Sequence, residues 1–108
     1  MSLANKRLVG PTQLGNAAAT VYTTPAGTQT CVKHLQVCNT TAGAVGFTMS
    51  IGADAAGTEL FKTYQIAANS TLSLFVLFYL AATETIQAYA SAAASLTLTI
   101  DGTELSIP

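Results

Sequence analysis

The stretch LTLTIDGTELSI, residues 96–107, decides the fold class. Its apolar residues alternate with threonines, so apolar side chains recur at every second position, which is the period of a β-strand and not of a helix. The same period recurs in FTMSI, residues 47–51, and in TIQAYA, residues 85–90. No segment shows a convincing 3.6-residue period, and the chain is therefore predicted to be all-β.

Within the opening stretch, the dipeptide Asp101-Gly102 is a strong hairpin signal. Both central residues of a type I′ turn need positive φ, which Asp and Gly tolerate better than most residues do. We therefore expect a tight turn here, joining a strand over 96–100 to an antiparallel strand over 103–107.

Turn-forming clusters separate the other strand candidates along the chain. They are PAG (25–27), NTTAG (39–43), GADAAG (52–57) and AAN (67–69). Seven or eight short strands with regular turns predict an antiparallel β-sandwich, of jelly-roll or immunoglobulin-like order, or a small barrel.

The first sixteen residues, MSLANKRLVGPTQLGN, differ from the rest because they have no clean period. Gly10, Pro11 and Gly15 interrupt them. We expect residues 1–16 to form an N-terminal arm or an irregular lead-in, and residues 17–108 to form a single β-sandwich domain.

Composition excludes several function classes. The 108 residues are enough for one hydrophobic core. Only 8% of them are charged, against about 25% in an ordinary soluble domain. A net charge of −1 with four basic residues offers no electrostatic footprint for nucleic acid. No apolar leader segment is visible, and the longest apolar run is about half the ~20 residues of a membrane helix. The low charge favours a surface that other subunits cover.

Both cysteines and the one histidine lie in CVKHLQVCNT, residues 31–40. In a regular strand, Cys31 points to one face while His34 and Cys38 point to the other. The two cysteines would be roughly 23 Å apart, whereas the Cα atoms of a disulfide lie within about 7 Å. This separation argues against a disulfide, a shared metal site or a thiol–histidine pair. We expect no catalytic, metal-binding or cofactor-binding residues, two buried thiols that act as small hydrophobic residues, and His34 as a polar residue of a strand face.

The strand candidate TLSLFVLFYL, residues 71–80, is apolar on both faces. One face can point into the sandwich. The other face, which carries Phe75, Leu77 and Tyr79, must be covered as well, because an exposed patch of this kind promotes aggregation. The cover is either the N-terminal arm or another subunit, and the low charge favours a subunit interface. We therefore predict these three residues as interface residues.

The N-terminal arm supplies three further candidates. Lys6, Arg7 and Leu8 are expected to reach a neighbouring subunit from this arm.

Several stretches resemble one family of viral proteins. These are KRLVGPTQL near the start, VYTTPAGT, the segment SIGADAAGT and the end LTLTIDGTE. Over nearly the whole chain the sequence resembles small structural proteins of tailed bacteriophages. The resemblance implies an all-β accessory virion protein that is head-decorating or tail-associated, and it carries no catalytic residues across.

The function expected from these observations is that of a non-enzymatic virion structural protein without cofactors. It would oligomerise and dock on the particle as a capsid-decorating or minor tail component, with copies of itself and other virion proteins as partners. It would be located in the virion, assembled in the bacterial host cytoplasm. The alternative is a host-surface or carbohydrate-binding β-sandwich module at a tail tip, which would use the tyrosines Tyr22, Tyr64, Tyr79 and Tyr89.

Overall fold

A computed structural model describes residues 2–106 and folds them into eight β-strands. The strands are β1 Ser2–Gln13, β2 Ala19–Thr23, β3 Thr28–Asn39, β4 Val45–Ile51, β5 Glu59–Ile66, β6 Thr71–Leu80, β7 Thr85–Ala90 and β8 Leu96–Ser106. They form two four-stranded sheets in the orders β1-β8-β3-β6 (sheet 1) and β2-β7-β4-β5 (sheet 2). All neighbouring strands within the sheets are antiparallel. The prediction of an antiparallel β-sandwich is confirmed.

The connections between strands define the topology as a jelly roll. Every connection except β4–β5 passes from one sheet to the other, so the chain wraps around the core as two interlocked Greek keys. Of the two orders predicted from the sequence, the jelly roll is found.

The core lies between the inner faces of the two sheets. The alternating apolar positions of LTLTI and FTMSI point inward, as their two-residue period requires. Phe47 is its largest fully buried side chain, with its ring centroid 5.5 Å from that of Phe61. The fully buried side chains include Val32, Leu35, Val37, Phe47, Met49, Leu80, Ile86, Leu96, Leu98 and Ile100. Each contributes about 1.5–3 kcal/mol by leaving water.

The predicted hairpin at Asp101-Gly102 is wrong. Strand β8 runs without a turn between β1 and β3, and neither residue has positive φ. Gly102 serves a different purpose, because a Cβ placed there would overlap the carbonyl oxygen of Cys31 on β3. The glycine is required by the close approach of a neighbouring backbone and not by a turn. Ile107, the predicted end of the hairpin, lies outside the described residues.

The predicted irregular lead-in is also wrong over residues 2–13, which form β1 at an edge of sheet 1. The register with β8 shifts on either side of Val9. Gly10 has a φ of +92°, and Pro11 lacks a backbone donor. These irregularities remove the two-residue period from the sequence while Val9 still reaches the core. Met1 and Pro108, the ends of the predicted segments, lie outside the described residues.

Residues 2–106 contain no helix with the length and hydropathy that a membrane crossing needs.

Candidate interaction surface

Three of the six exposed large apolar side chains of residues 2–106 lie together on the outer face of β6. Phe75 is 90% exposed, Leu77 67% and Tyr79 60%. We call these three residues the β6 patch. The alternate residues of the strand, Leu74, Val76 and Phe78, point inward and pack against the core. The alternation expected for this strand is confirmed, and nothing in residues 2–106 covers its outer face to any large extent.

Polar groups border the β6 patch on the side of β3. The ring of His34 lies 4.9 Å from that of Phe75, with the planes tilted by 52°. The Nε2 atom of His34 is 2.8 Å from the hydroxyl of Ser73, and its Nδ1 atom is 3.7 Å from Oδ2 of Asp101. These contacts lie on one side of Phe75 and leave Leu77 and Tyr79 exposed.

Ser73, His34 and Asp101 are residue types that nucleophilic catalysis uses, and they lie far apart in the sequence. Only the antiparallel register of β6, β3 and β8 brings them together. The 3.7 Å separation of His34 and Asp101 exceeds hydrogen-bond length. Ser73 lies exposed on an open sheet face, whereas a triad acts beside preorganised donors in a site that excludes water. The grouping is best explained as the polar margin of the patch.

The prediction that Cys31 and His34 lie on opposite faces is wrong, because β3 carries an extra residue at Lys33 relative to β8. Relative to β6 the extra residue is on β6, where Val76 and Leu77 lie opposite Lys33. The register of β3 with both of its neighbours shifts between Val32 and His34. This bulge reverses the parity, so Cys31, His34 and Cys38 all lie on the outer face of sheet 1, opposite residues of β6.

Both thiols are free and half-buried, and the prediction that they are buried is wrong. Cys31 lies opposite Tyr79, and Cys38 lies opposite Thr71. In the described part of the chain, no group of three or more His, Cys, Asp or Glu residues is placed to hold a metal ion.

The predicted arm residues lie on β1, at the edge of sheet 1 opposite to β6. Lys6 forms an ion pair with Glu104 at 3.2 Å, and the guanidinium of Arg7 donates to the carbonyl of Gly10 at 3.4 Å. Leu8 packs against the core of its own chain. The structure does not bring these residues to the β6 patch, and their contact with a neighbour stays a prediction.

A hydrogen-bonded cluster links the two sheets near this ion pair. The hydroxyl of Tyr22, on sheet 2, donates to Oε2 of Glu104 at 2.5 Å and is 2.8 Å from the hydroxyl of Thr30. Burial, followed by the hydrogen bond to Glu104, raises the pKa of Tyr22 to about 12. Both effects favour the neutral phenol, because the phenolate would be desolvated and would face a carboxylate.

This pKa predicts how stability changes in alkali. The folded pKa of Tyr22 is above its ordinary value of 10.0, so its contribution to stability is fully present below pH 10 and is lost as pH rises through 12. We expect Tyr22→Phe to reduce the fall in unfolding free energy over this range, as measured by urea denaturation. Tyr64→Phe, at a tyrosine that is 48% exposed, is the control. An unchanged alkaline profile in Tyr22→Phe would contradict the linkage.

The four tyrosines proposed for carbohydrate binding do not share one surface. Tyr64 and Tyr79 are exposed but belong to different sheets, and Tyr22 and Tyr89 are half-buried.

Comparison with known proteins shows the fold alone. No protein-family model and no curated protein matches the chain. A solved chain from Bacillus endospore appendages, described as a novel family of disulfide-linked pili, is similar with a TM-score of 0.59 and 16% identity. The alignment covers 99% of this chain and 90% of that one.

Two virus structures are similar as well. A chain of infectious bursal disease virus, Gx strain, has a TM-score of 0.53 at 9% identity, and the alignment covers 95% of this chain and 31% of the viral one. The corresponding chain of the Gt strain has a TM-score of 0.51 at 9% identity, over 95% and 30%. The chain described here thus spans less than a third of each viral chain. Its sandwich is shared with a pilus component and with part of a viral chain.

Proposed function

We propose that this chain is a non-enzymatic structural protein that assembles with copies of itself through the β6 patch. The observation that carries the proposal is the exposure of Phe75, Leu77 and Tyr79 in one row on a single strand. A monomeric soluble protein rarely leaves such a row uncovered, and exposed patches mark sites of association. The low charge supports the proposal, since the chain has few charges to keep an uncovered surface soluble.

The free energy gained by covering the β6 patch can be compared with the cost of association. Covering each apolar side chain contributes about 1.5–3 kcal/mol, whereas association costs an estimated 4–15 kcal/mol in lost freedom. Six covered side chains, three from each copy, therefore contribute about 9–18 kcal/mol, a range that overlaps that of the cost. At the unfavourable ends of both ranges the patch alone falls short of the cost, and further contacts beside it would then be needed.

Small-angle X-ray scattering tests self-association of the purified protein. A single chain has a radius of gyration of 13.8 Å. We expect the measured radius to exceed this value clearly and to grow with protein concentration. A radius that stays near that of one chain at every concentration would contradict the proposal.

The finer proposal is that the assembly belongs to the virion of a tailed bacteriophage. The resemblance to small phage structural proteins supports this location, and the jelly-roll fold suits a component assembled in many copies. Other virion proteins would be its partners, and it would join the head or the tail within the bacterial host cytoplasm.

Antibody labelling of phage particles, viewed by electron microscopy, tests this location. Label over the head supports decoration of the capsid, and label on the tail supports a tail component. Particles from an expressing host that carry no label would contradict the virion proposal.

A second candidate is binding to a host surface or a carbohydrate at a tail tip. The observation in its favour is that Phe75 and Tyr79 expose two aromatic rings on one open face. Sedimentation with host envelopes tests it, with Tyr79→Ala as the comparison. Wild-type protein that stays in solution excludes this candidate.

A further inference from the structure

We propose that β6 pairs edge to edge with β6 of a second copy and continues sheet 1 into an eight-stranded antiparallel sheet. The inference rests on the proposed function and deepens it, because it names the strand of the partner and the kind of contact. Backbone hydrogen bonds between the two β6 strands would add contacts to those of the three side chains of the β6 patch.

Three of the four sheet edges are protected against pairing of this kind. An exposed edge invites another strand unless it is short, charged, bulged or interrupted by proline. Strand β1 carries Lys6, Arg7 and Pro11 and has two register shifts. Strand β2 has only five residues.

Strand β5 is protected by other means. It contains Glu59 and Lys62, its register with β4 shifts twice, and Thr63 has a positive φ of 49°. A bulged and charged edge does not offer a regular row of donors and acceptors.

Strand β6 has almost none of these protections. It is ten residues long and contains no charged residue and no proline, and its one bulge, where Val76 and Leu77 lie opposite Lys33, is confined to its second half. Because β6 is the one long edge without charge or proline, the matching edge on a second copy is β6 itself. A two-fold axis then makes the pair antiparallel and self-complementary.

The backbone groups of β6 are oriented for this contact. The N–H of Asn39 donates to the carbonyl of Ser70 at 2.8 Å, and Cys38 lies opposite Thr71. In an antiparallel ladder, hydrogen-bonded and non-hydrogen-bonded pairs alternate. It follows that the backbone N–H and C=O groups of Leu72 and Leu74 form hydrogen bonds with β3.

The backbone groups of the residues that alternate with Leu72 and Leu74 have the opposite orientation. Thr71, Ser73 and Phe75 direct their N–H and C=O groups to the open edge. These groups form a regular row over the first half of the strand, where the register has no shift.

The two-fold axis also joins the two apolar patches. An axis perpendicular to the sheet keeps the outer faces of both copies on the same side. The β6 patch of one chain then becomes continuous with that of the second copy, and cross-strand pairs between aromatic and leucine side chains add to the backbone bonds.

Ser73→Pro tests the edge contact separately from the patch. Proline removes the N–H of Ser73, which points to the open edge, and keeps the three side chains of the β6 patch. We expect the dissociation constant of self-association, measured by sedimentation, to rise by at least about tenfold. Ser73→Ala is the matched control, because it loses the same hydroxyl but keeps the N–H, and it should associate as the wild type does.

The outcomes separate this inference from the proposed function. If Ser73→Pro associates normally while Leu77→Asp is monomeric, the edge contact is wrong and the proposed function stands. If the wild type is monomeric, both fail. If Ser73→Pro does not fold, hydrogen exchange of wild-type residues 71–75 decides: protection that increases with concentration supports edge pairing, and protection independent of concentration overturns it.

Discussion

Leu77→Asp is expected to convert the assembled protein into folded monomers. Leu77 is the middle residue of the β6 patch and is 67% exposed in the single chain. A carboxylate at this position would be buried without a partner in the assembly, which costs several kcal/mol. In the monomer it would lie in water, so unfolding free energy should change by no more than about 0.5 kcal/mol. Size-exclusion chromatography with light scattering measures the mass, and thermal unfolding checks the fold.

Leu60→Asp is the control for this experiment. Leu60 is also exposed, at 45%, but lies on β5 of sheet 2. The same change of charge there should leave the assembly intact. Dissociation by both variants would show a general effect of charge, and association by Leu77→Asp would remove the β6 patch from the interface.

Gly102→Ala is expected to destabilise the fold by about 3 kcal/mol, the upper part of the range for overpacking. Its Cβ would overlap the carbonyl oxygen of Cys31 and would lie 3.0 Å from Cδ1 of Leu8. The first of these atoms belongs to the backbone of the central strand β3 and cannot move without disturbing its ladder with β8. Urea denaturation measures the loss.

Gly57→Ala is the matched control, since a Cβ there meets no atom within 4 Å and the residue has no positive φ. It should keep or slightly raise the stability of the wild type. A Gly102→Ala variant as stable as the wild type would contradict the close approach of the β8 and β3 backbones at Gly102.

The alternation in the sequence was enough to predict the sandwich and the exposed face of β6. Both predictions depend only on the side-chain period within one strand, which a sequence displays directly. The β6 patch is visible for the same reason, because a strand that is apolar on both faces cannot bury both within one sandwich.

Features that depend on neighbouring strands could not be predicted. A glycine permits a turn and also permits the close approach of another backbone, and only the placement of Cys31 beside Gly102 shows which applies. The bulge at Lys33 leaves no mark in the sequence, yet it moves Cys31 to the face of His34. The contact of His34 with Ser73 likewise follows from register between strands that are distant in the chain.

Sedimentation equilibrium of the purified wild-type chain at neutral pH tests the central claim, self-association through β6, most directly. One chain has a mass of 11.1 kDa. We expect a mass that rises with concentration toward a multiple of this value, and Leu77→Asp should abolish the rise. A wild-type mass of one chain at every concentration would contradict it.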